Sequence, residues 1–220
     1  MKQFLDLDDA LVIMRRILVR MFERGAELPE FVVLVGGTAL AAHRIRDLTK
    51  DVDFYSKSID KATIEEVEEE FRKVHGRLFK IDATSSEAIW GRIILNDIEQ
   101  SPSFTRIEVA DRKIDIKTLK VEDLFFLKLG ADRDKDRRDV PNLADRTTAE
   151  ALITRFNEVV KWMADKTAAL AFIDRFVYAM EDCFALEPIG LMARLEIPEH
   201  VKDMLLESRM MEVEDGAQGL

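Results

Sequence analysis

Apolar positions recur at helical spacing through residues 7–23. Leu7, Ala10, Leu11, Met14, Ile17, Leu18, Met21 and Phe22 predict one amphipathic helix. Asp8 and Asp9 favour its start, and Gly25 and Pro29 end it. The next run, Phe31-Val32-Val33-Leu34-Val35, is short and β-branched, the pattern of a buried strand, and it stops at Gly36-Gly37. A helix start is expected from Thr38 to Arg44, and a second short strand at Val52-Asp53-Phe54-Tyr55. Residues 60–75 return to helical spacing, with Ile64, Val67, Phe71 and Val74 on one face and Gly76 beyond the end. The run Glu65, Glu66, Glu68, Glu69, Glu70 reads as a solvated face.

Residues 78–117 read as β-rich, with strands at Leu78–Ile81, Ile89–Ile98, Arg106–Val109 and Lys113–Ile116 and a turn at Asp111. From Val121 the pattern is helical. Leu152, Ile153, Phe156, Val159, Val160 and Met163 share a face, and 168–184 form a further helix. Pro188 and Pro198 interrupt the remaining segment. This order favours an α/β or α+β core over residues 1–120 and a helical region over 121–220.

Composition narrows the class. The chain has 220 residues, and 47% hydrophobic content is too high for a disordered chain. No apolar run approaches the roughly 20 residues that span a bilayer, and Met1–Asp6 lacks a secretory pattern. A cytoplasmic globular protein without a membrane partner is the expectation. One cysteine, Cys183, excludes a disulfide framework, and the scattered His43, His75 and His200 do not form a metal-ligand spacing. Of the net charge of −10, residues 181–220 carry −7, from ten acidic and three basic residues. The remainder is nearly balanced, so no broad basic surface for nucleic acid is expected.

Candidate chemistry sits between residues 35 and 54. A strand that ends in two glycines and opens into a helix lets backbone approach a ligand closely, and its N–H groups favour an anion. The Thr38 hydroxyl adds a donor. Thirteen residues on, Asp51 and Asp53 occupy positions i and i+2 of a strand, so both carboxylates point to one side. Two carboxylates that close repel unless a cation lies between them. Mg²⁺ (or Mn²⁺), which binds one or two carboxylates together with substrate phosphates, is the natural partner. A glycine turn beside a metal-holding pair suits a nucleoside triphosphate (NTP) and displacement at phosphorus.

Gly36-Gly37-Thr38-Ala39-Leu40, then Arg46, then Thr49-Lys50-Asp51-Val52-Asp53-Phe54 resembles the signature of the DNA-polymerase-β nucleotidyltransferase superfamily. It is most similar to the AbiEii-like branch, the nucleotidyltransferase toxins of toxin–antitoxin and abortive-infection systems. A second block agrees: Val121-Glu122-Asp123-Leu124-Phe125-Phe126-Leu127-Lys128-Leu129, followed by Arg133, Asp136, Asp139 and Leu143. The two blocks span residues 31–55 and 121–143.

The resemblance implies an α+β fold, with a mixed sheet flanked by helices and a C-terminal helical region that completes the active site. It implies that Gly36, Gly37 and Thr38 hold the triphosphate, with Arg46, Thr49 and Lys50 beside it, and that Asp51 and Asp53 bind the metal. It further implies that Lys128 contacts a nucleotide phosphate and that Asp136 takes part in activity. The implied partners are an NTP, an acceptor hydroxyl on RNA such as tRNA or on a protein, and an antitoxin protein. Apart from the resemblance, the Met-rich end (Met204, Met210, Met211) and the acidic C-terminal forty residues read as packing, regulatory or homodimer elements.

Many superfamily members carry a third carboxylate on a later strand. Asp82, Asp97, Glu108 and Asp115 are candidates, and Asp97, after Ile93-Ile94-Leu95, is preferred. Plainer readings stand beside these. Lys128 can snorkel from an amphipathic helix, and residues 131–139 can be a salt-bridged, solvated helix face. His43 reads as a helix-surface residue and Cys183 as buried and inert. Two other functions use the same residues: a nucleotide-binding module of this fold without activity, and a glycosyltransferase holding a metal–sugar-nucleotide on Asp-x-Asp.

Overall fold

The computed structural model describes residues 4–58, 61–75, 79–84, 89–90, 93–162 and 166–217. Chain contacts group them into two compact units. The first comprises Met1–Ala88 and Asn96–Leu124, the second Ile89–Leu95 and Phe125–Leu220.

In the first unit, α1 runs over Leu7–Glu23. A reciprocal capping box starts it: the Asp9 N–H donates to Asp6 Oδ1 at 2.9 Å and the Asp6 N–H to Asp9 Oδ2 at 3.0 Å. Ala10, Ile13, Met14, Ile17, Leu18 and Met21 are buried, whereas Phe22, placed on this face by its spacing, is largely exposed. Five strands occupy the expected order with shifted ends: β1 (Phe31–Leu34), β2 (Asp51–Tyr55), β3 (Lys80–Thr84), β6 (Ser103–Val109) and β7 (Arg112–Thr118). Between them lie α2 (Gly36–Ala42) and α3 (Lys61–His75). The sheet order is β3-β2-β1-β7-β6. β1 is antiparallel to β2 and parallel to β7, β2 is parallel to β3, and β6–β7 is an antiparallel hairpin. This is the mixed α+β architecture that the order of elements foretold.

The two faces of this sheet differ sharply. Val52 and Phe54, Val32 and Leu34, Ile114 and Ile116, Ile107 and Val109, and Ile81 are all buried and stack in register. Strand alternation sends Asp51, Asp53, Asp82, Asp115, Lys117, Arg106 and Glu108 to the other side. A small apolar cavity lined by Met14, Ile17, Leu18, Val32, Phe54 and Ile64 shows α1 and α3 against the first face. The glutamates of α3 are not simply solvated. Arg16 pairs with Glu70 at 3.1 Å, Arg20 and Arg24 pair with Glu66, and Glu68 accepts the Ile81 N–H at 2.8 Å. They fasten α3 to α1 and β3, because α1 presents its arginines on the flank that α3 covers.

The strand expected at Ile89–Ile98 is not continuous. It resolves into β4 (Ile89–Trp90) and β5 (Ile93–Ile94), a two-residue antiparallel pair, and a 3-10 turn at Ile98–Gln100. Gly76 and Leu78, read as a helix stop and a strand start, lie outside the described residues.

The later helices are α4 (Val121–Ala131), α5 (Asp134–Arg137), α6 (Asp139–Ala144), α7 (Ala149–Val159), α8 (Lys166–Phe184), α9 (Pro188–Met192) and α10 (Glu199–Ala217). The division between units falls within α4. Phe125, Phe126, Phe156, Phe172 and Phe176 form the aromatic centre of the second unit, all fully buried. Phe156 stacks on Phe176 with centroids 4.3 Å apart and on Phe172 at 5.8 Å. Phe156→Ala should therefore cost about 3–5 kcal/mol, read as a lower urea midpoint of the helical circular-dichroism signal. Exposed Phe22→Ala should change it little.

Candidate functional site

The site begins where β1 stops. Val35 is extended and its N–H donates to the Asp53 carbonyl at 3.1 Å, which holds the end of β1 on β2. Gly36 then takes φ +52°, a left-handed conformation that suits glycine. A Cβ here would lie 2.6 Å from Asp53 Oδ2, and one on Gly37 would lie 2.5 Å from Thr49 Oγ1. Both glycines thus lie so close to β2 and to the segment before it that a Cβ would force the Asp53 or Thr49 side chain to shift.

Asp51 and Asp53 are half-buried and alternate with buried Val52 and Phe54, so they share the polar face of β2. The Gly37 N–H donates to Asp53 Oδ2 at 2.7 Å. The turn N–H expected to meet a ligand anion is here taken up by the protein's own carboxylate. The α2 helix has only seven residues, so the attraction comes from the turn's N–H groups more than from a helix dipole.

Thr38 and Thr49 act from inside. Thr38 is fully buried, and its Oγ1 accepts the Asp53 N–H at 2.9 Å. The Thr49 hydroxyl donates to the Asp51 carbonyl at 3.0 Å. Both fix the backbone of the acidic strand. Arg46 is half-buried in the connection between α2 and β2, and Lys50 is exposed, with Nζ 5.7 Å from the centre of the Phe4 ring. His43 Nε2 lies 2.7 Å from the Leu119 carbonyl, which only a protonated Nε2 can satisfy.

The candidate third carboxylates occupy distinct positions. Asp82 is exposed on β3 directly in register with Asp53. Adjacent strands lie about 4.8 Å apart, so its backbone is one strand spacing from that of Asp53. Asp115 on β7 and Glu108 on β6 are two and three spacings away, and both hold partners: Asp115 accepts from Ser103 Oγ at 2.5 Å and Glu108 pairs with Lys113 at 3.4 Å. Asp97 is on no strand; it precedes the 3-10 turn. Among the described residues, no group of three or more His, Cys, Asp and Glu side chains is gathered to enclose a metal ion.

Lys128, Asp136 and Asp139 come together in the second unit. Lys128 Nζ lies 2.7 Å from Asp136 Oδ1 and 3.0 Å from Asp139 Oδ2, and all three are buried. Arg133 also pairs with Asp136. Burial, the strongest single influence, pushes the Asp136 carboxyl up, but the bonds from Arg133 and Lys128 together hold it below its usual value. Asp136, for which the sequence leaves both a part in activity and a solvated helix face open, is fully buried and ion-paired. The sequence does carry a signal for this. Lys128 sits among Leu124, Phe125, Phe126, Leu127 and Leu129, all buried, where an ammonium needs anionic partners.

Sequence reasoning passed over Glu99. Lys57 Nζ reaches its carboxylate at 2.7 Å, the Tyr55 hydroxyl at 3.5 Å, and Lys117 Nζ donates to its carbonyl at 2.5 Å. Tyr55 and Lys117 lie on the same sheet face as the acidic pair. Cys183 is half-buried, and burial pushes its thiol up, away from the reactive thiolate.

Against known families, the model of a nucleotidyltransferase of unknown function (DUF6036) matches residues 10–182, which takes in the glycine turn, the acidic pair and the Lys128 cluster. No curated protein and no solved structure matches the chain.

Gly36→Ala should cost about 1–3 kcal/mol from strained backbone and the clash with Asp53. Gly25→Ala, at φ +70° with open space around it, tests the backbone effect alone and should cost less. Urea unfolding distinguishes the two. For Asp136 the lowered folded value sets the sign: its stabilising share is complete above about pH 4, near the unfolded carboxyl value, and is lost as pH falls through the folded one. Asp136→Asn should therefore be less stable at neutral pH and lose less on acidification, as followed by thermal melts across pH.

Proposed function

Because the chain belongs to the DUF6036 family of nucleotidyltransferases, we propose that it transfers a nucleoside monophosphate from an NTP to an acceptor hydroxyl at the Gly36–Asp53 site. The observation that carries this reading is the pair of same-face carboxylates on β2, one of them already touching the glycine-turn N–H.

Asp51 and Asp53 are the residues that would hold Mg²⁺ or Mn²⁺. Two carboxylates, with no group of three ligands gathered among the described residues, fit an ion that completes its shell with water and phosphate oxygens. Such an ion supplies neutralisation of phosphate charge. The chain's own groups do the rest. Gly37 offers its N–H to a phosphate oxygen in place of Asp53, and Gly36 keeps that approach free of side chain. Arg46 and Lys50 add positive charge beside the triphosphate. Thr38 and Thr49 are positioning residues that fix the β2 backbone.

We assign the third carboxylate to Asp82 in preference to Asp97, a reading supported by its register with Asp53 on the adjacent strand and on the same face. Its role is to accept the proton of the attacking hydroxyl. Lys128 and Asp136 are read as members of a buried ion-pair cluster: the ammonium is already neutralised by two buried carboxylates, so a phosphate would have to compete with both. The toxin reading, with RNA such as tRNA or a protein hydroxyl as acceptor and an antitoxin as partner, rests on the AbiEii-like resemblance of the two sequence blocks. The acidic chain, with no broad basic surface in its sequence, favours a short RNA end or a protein hydroxyl over extended RNA.

The test is label transfer from each α-labelled NTP, with Mg²⁺ or Mn²⁺, into total RNA and total protein. Asp51→Asn and Asp53→Asn should each lower transfer by about 10³-fold or more. Asp82→Asn should lower it by about 10²–10⁴-fold, while Asp97→Asn stays near wild type. Metal-dependent NTP binding without transfer would leave a binding module, and preferred binding of a sugar nucleotide would point to glycosyl transfer.

A further inference from the structure

The outer edge of the sheet carries a self-complementary pattern. Among the described residues β6 is the terminal strand, paired only with β7. An unpaired edge is a template for another strand unless it is blunted. The β6–β7 hairpin turns through two residues, Ala110 and Asp111, with Ala110 at φ +50°. A two-residue hairpin closes on a hydrogen-bonded pair, here Val109 with Arg112. By alternation, Ile107 with Ile114 is the next such pair, and the backbone N–H and C=O groups of Arg106 and Glu108 point away from β7.

A groove of about 530 Å³ runs along this edge, lined by Asp8, Leu11, Val12 and Arg15 of α1 and by Thr105–Glu108 of β6. Val12 is 60% exposed on its wall. The groove therefore offers backbone hydrogen-bonding groups along one side and an apolar flank above them.

We propose that the occupant is a second copy of this chain, whose β6 pairs antiparallel with the first about a two-fold axis at Ile107. That register places Arg106 opposite Glu108 of the other copy, and Glu108 opposite its Arg106. These are the two positions whose backbone groups face outward, so main-chain pairing and charge pairing occur at the same residues. Cross-strand pairs of opposite charge are favourable and like pairs unfavourable. The two Ile107 residues stand opposite each other at the axis, on the face that Leu11 and Val12 of α1 flank. The irregular register between Ser103 and Thr105 ends the pairing on one side, and the hairpin turn ends it on the other. Among the described residues Arg106 pairs with half-buried Asp115 at 3.8 Å and Glu108 with exposed Lys113 at 3.4 Å, contacts that a partner strand can replace.

Sedimentation velocity of the full chain tests this with wild type, Arg106→Glu, Glu108→Arg and the double exchange. Both side chains are about two-thirds exposed, and circular dichroism confirms that each variant is folded. The wild type should sediment at twice 25.3 kDa. Each single exchange sets like charges opposite each other twice per dimer and should raise the dimer dissociation constant by about tenfold or more. The double exchange restores opposite charges and should return it toward wild type. A monomeric wild type, a dimer indifferent to the single exchanges, or a double exchange no tighter than the singles would each overturn the proposal.

Discussion

The candidate site depends on how closely the glycine turn lies against the acidic strand. Gly37 N–H and Asp53 Oδ2 are 2.7 Å apart, and neither glycine has room for a methyl group. That proximity puts backbone donors and two carboxylates within one small space, and the proposed binding of a metal and a polyphosphate rests on this arrangement. Thr38 and Thr49 keep the arrangement from relaxing, because each bonds the backbone that carries an aspartate. The left-handed Gly36 is the conformational cost of bringing the turn so near.

The second unit handles charge differently. Lys128, Asp136 and Asp139 are taken out of water as a group, with Arg133 at the margin. Removing one member of such a group leaves a buried charge uncompensated. The short helices α5 and α6 each contribute one carboxylate to a lysine on α4, which ties three consecutive elements to one ammonium. A substrate phosphate would have to displace these contacts to reach the ammonium.

Periodicity made most of the fold legible. The α1 stripe, the Phe31–Leu34 strand and the Asp111 turn all derive from the spacing of apolar and turn residues. The shared face of Asp51 and Asp53 comes from a period of two and from nothing else. Spacing does not carry the pairing between distant segments. The register of Asp82 with Asp53 depends on β3 lying parallel to β2, and no local pattern near residue 82 announces it. Ile93-Ile94-Leu95 has the composition of a strand leading to Asp97, yet only two of those residues pair. The glutamates of α3 looked solvated because their partners, Arg16, Arg20 and Arg24, lie more than forty residues away in the chain.

The placement of β1 at the middle of the sheet has a consequence for how the first unit comes into being. Its neighbours are β2, about twenty residues downstream, and β7, about eighty downstream. During synthesis β2 can dock early, but the opposite side of β1 stays open until Arg112–Thr118 has left the ribosome. The glycine turn hangs from the end of that half-paired strand. Its final geometry therefore waits on a contact of long sequence separation, the slow kind to close, although Gly37, Thr38 and Thr49, which bond the acidic strand, are all made long before it.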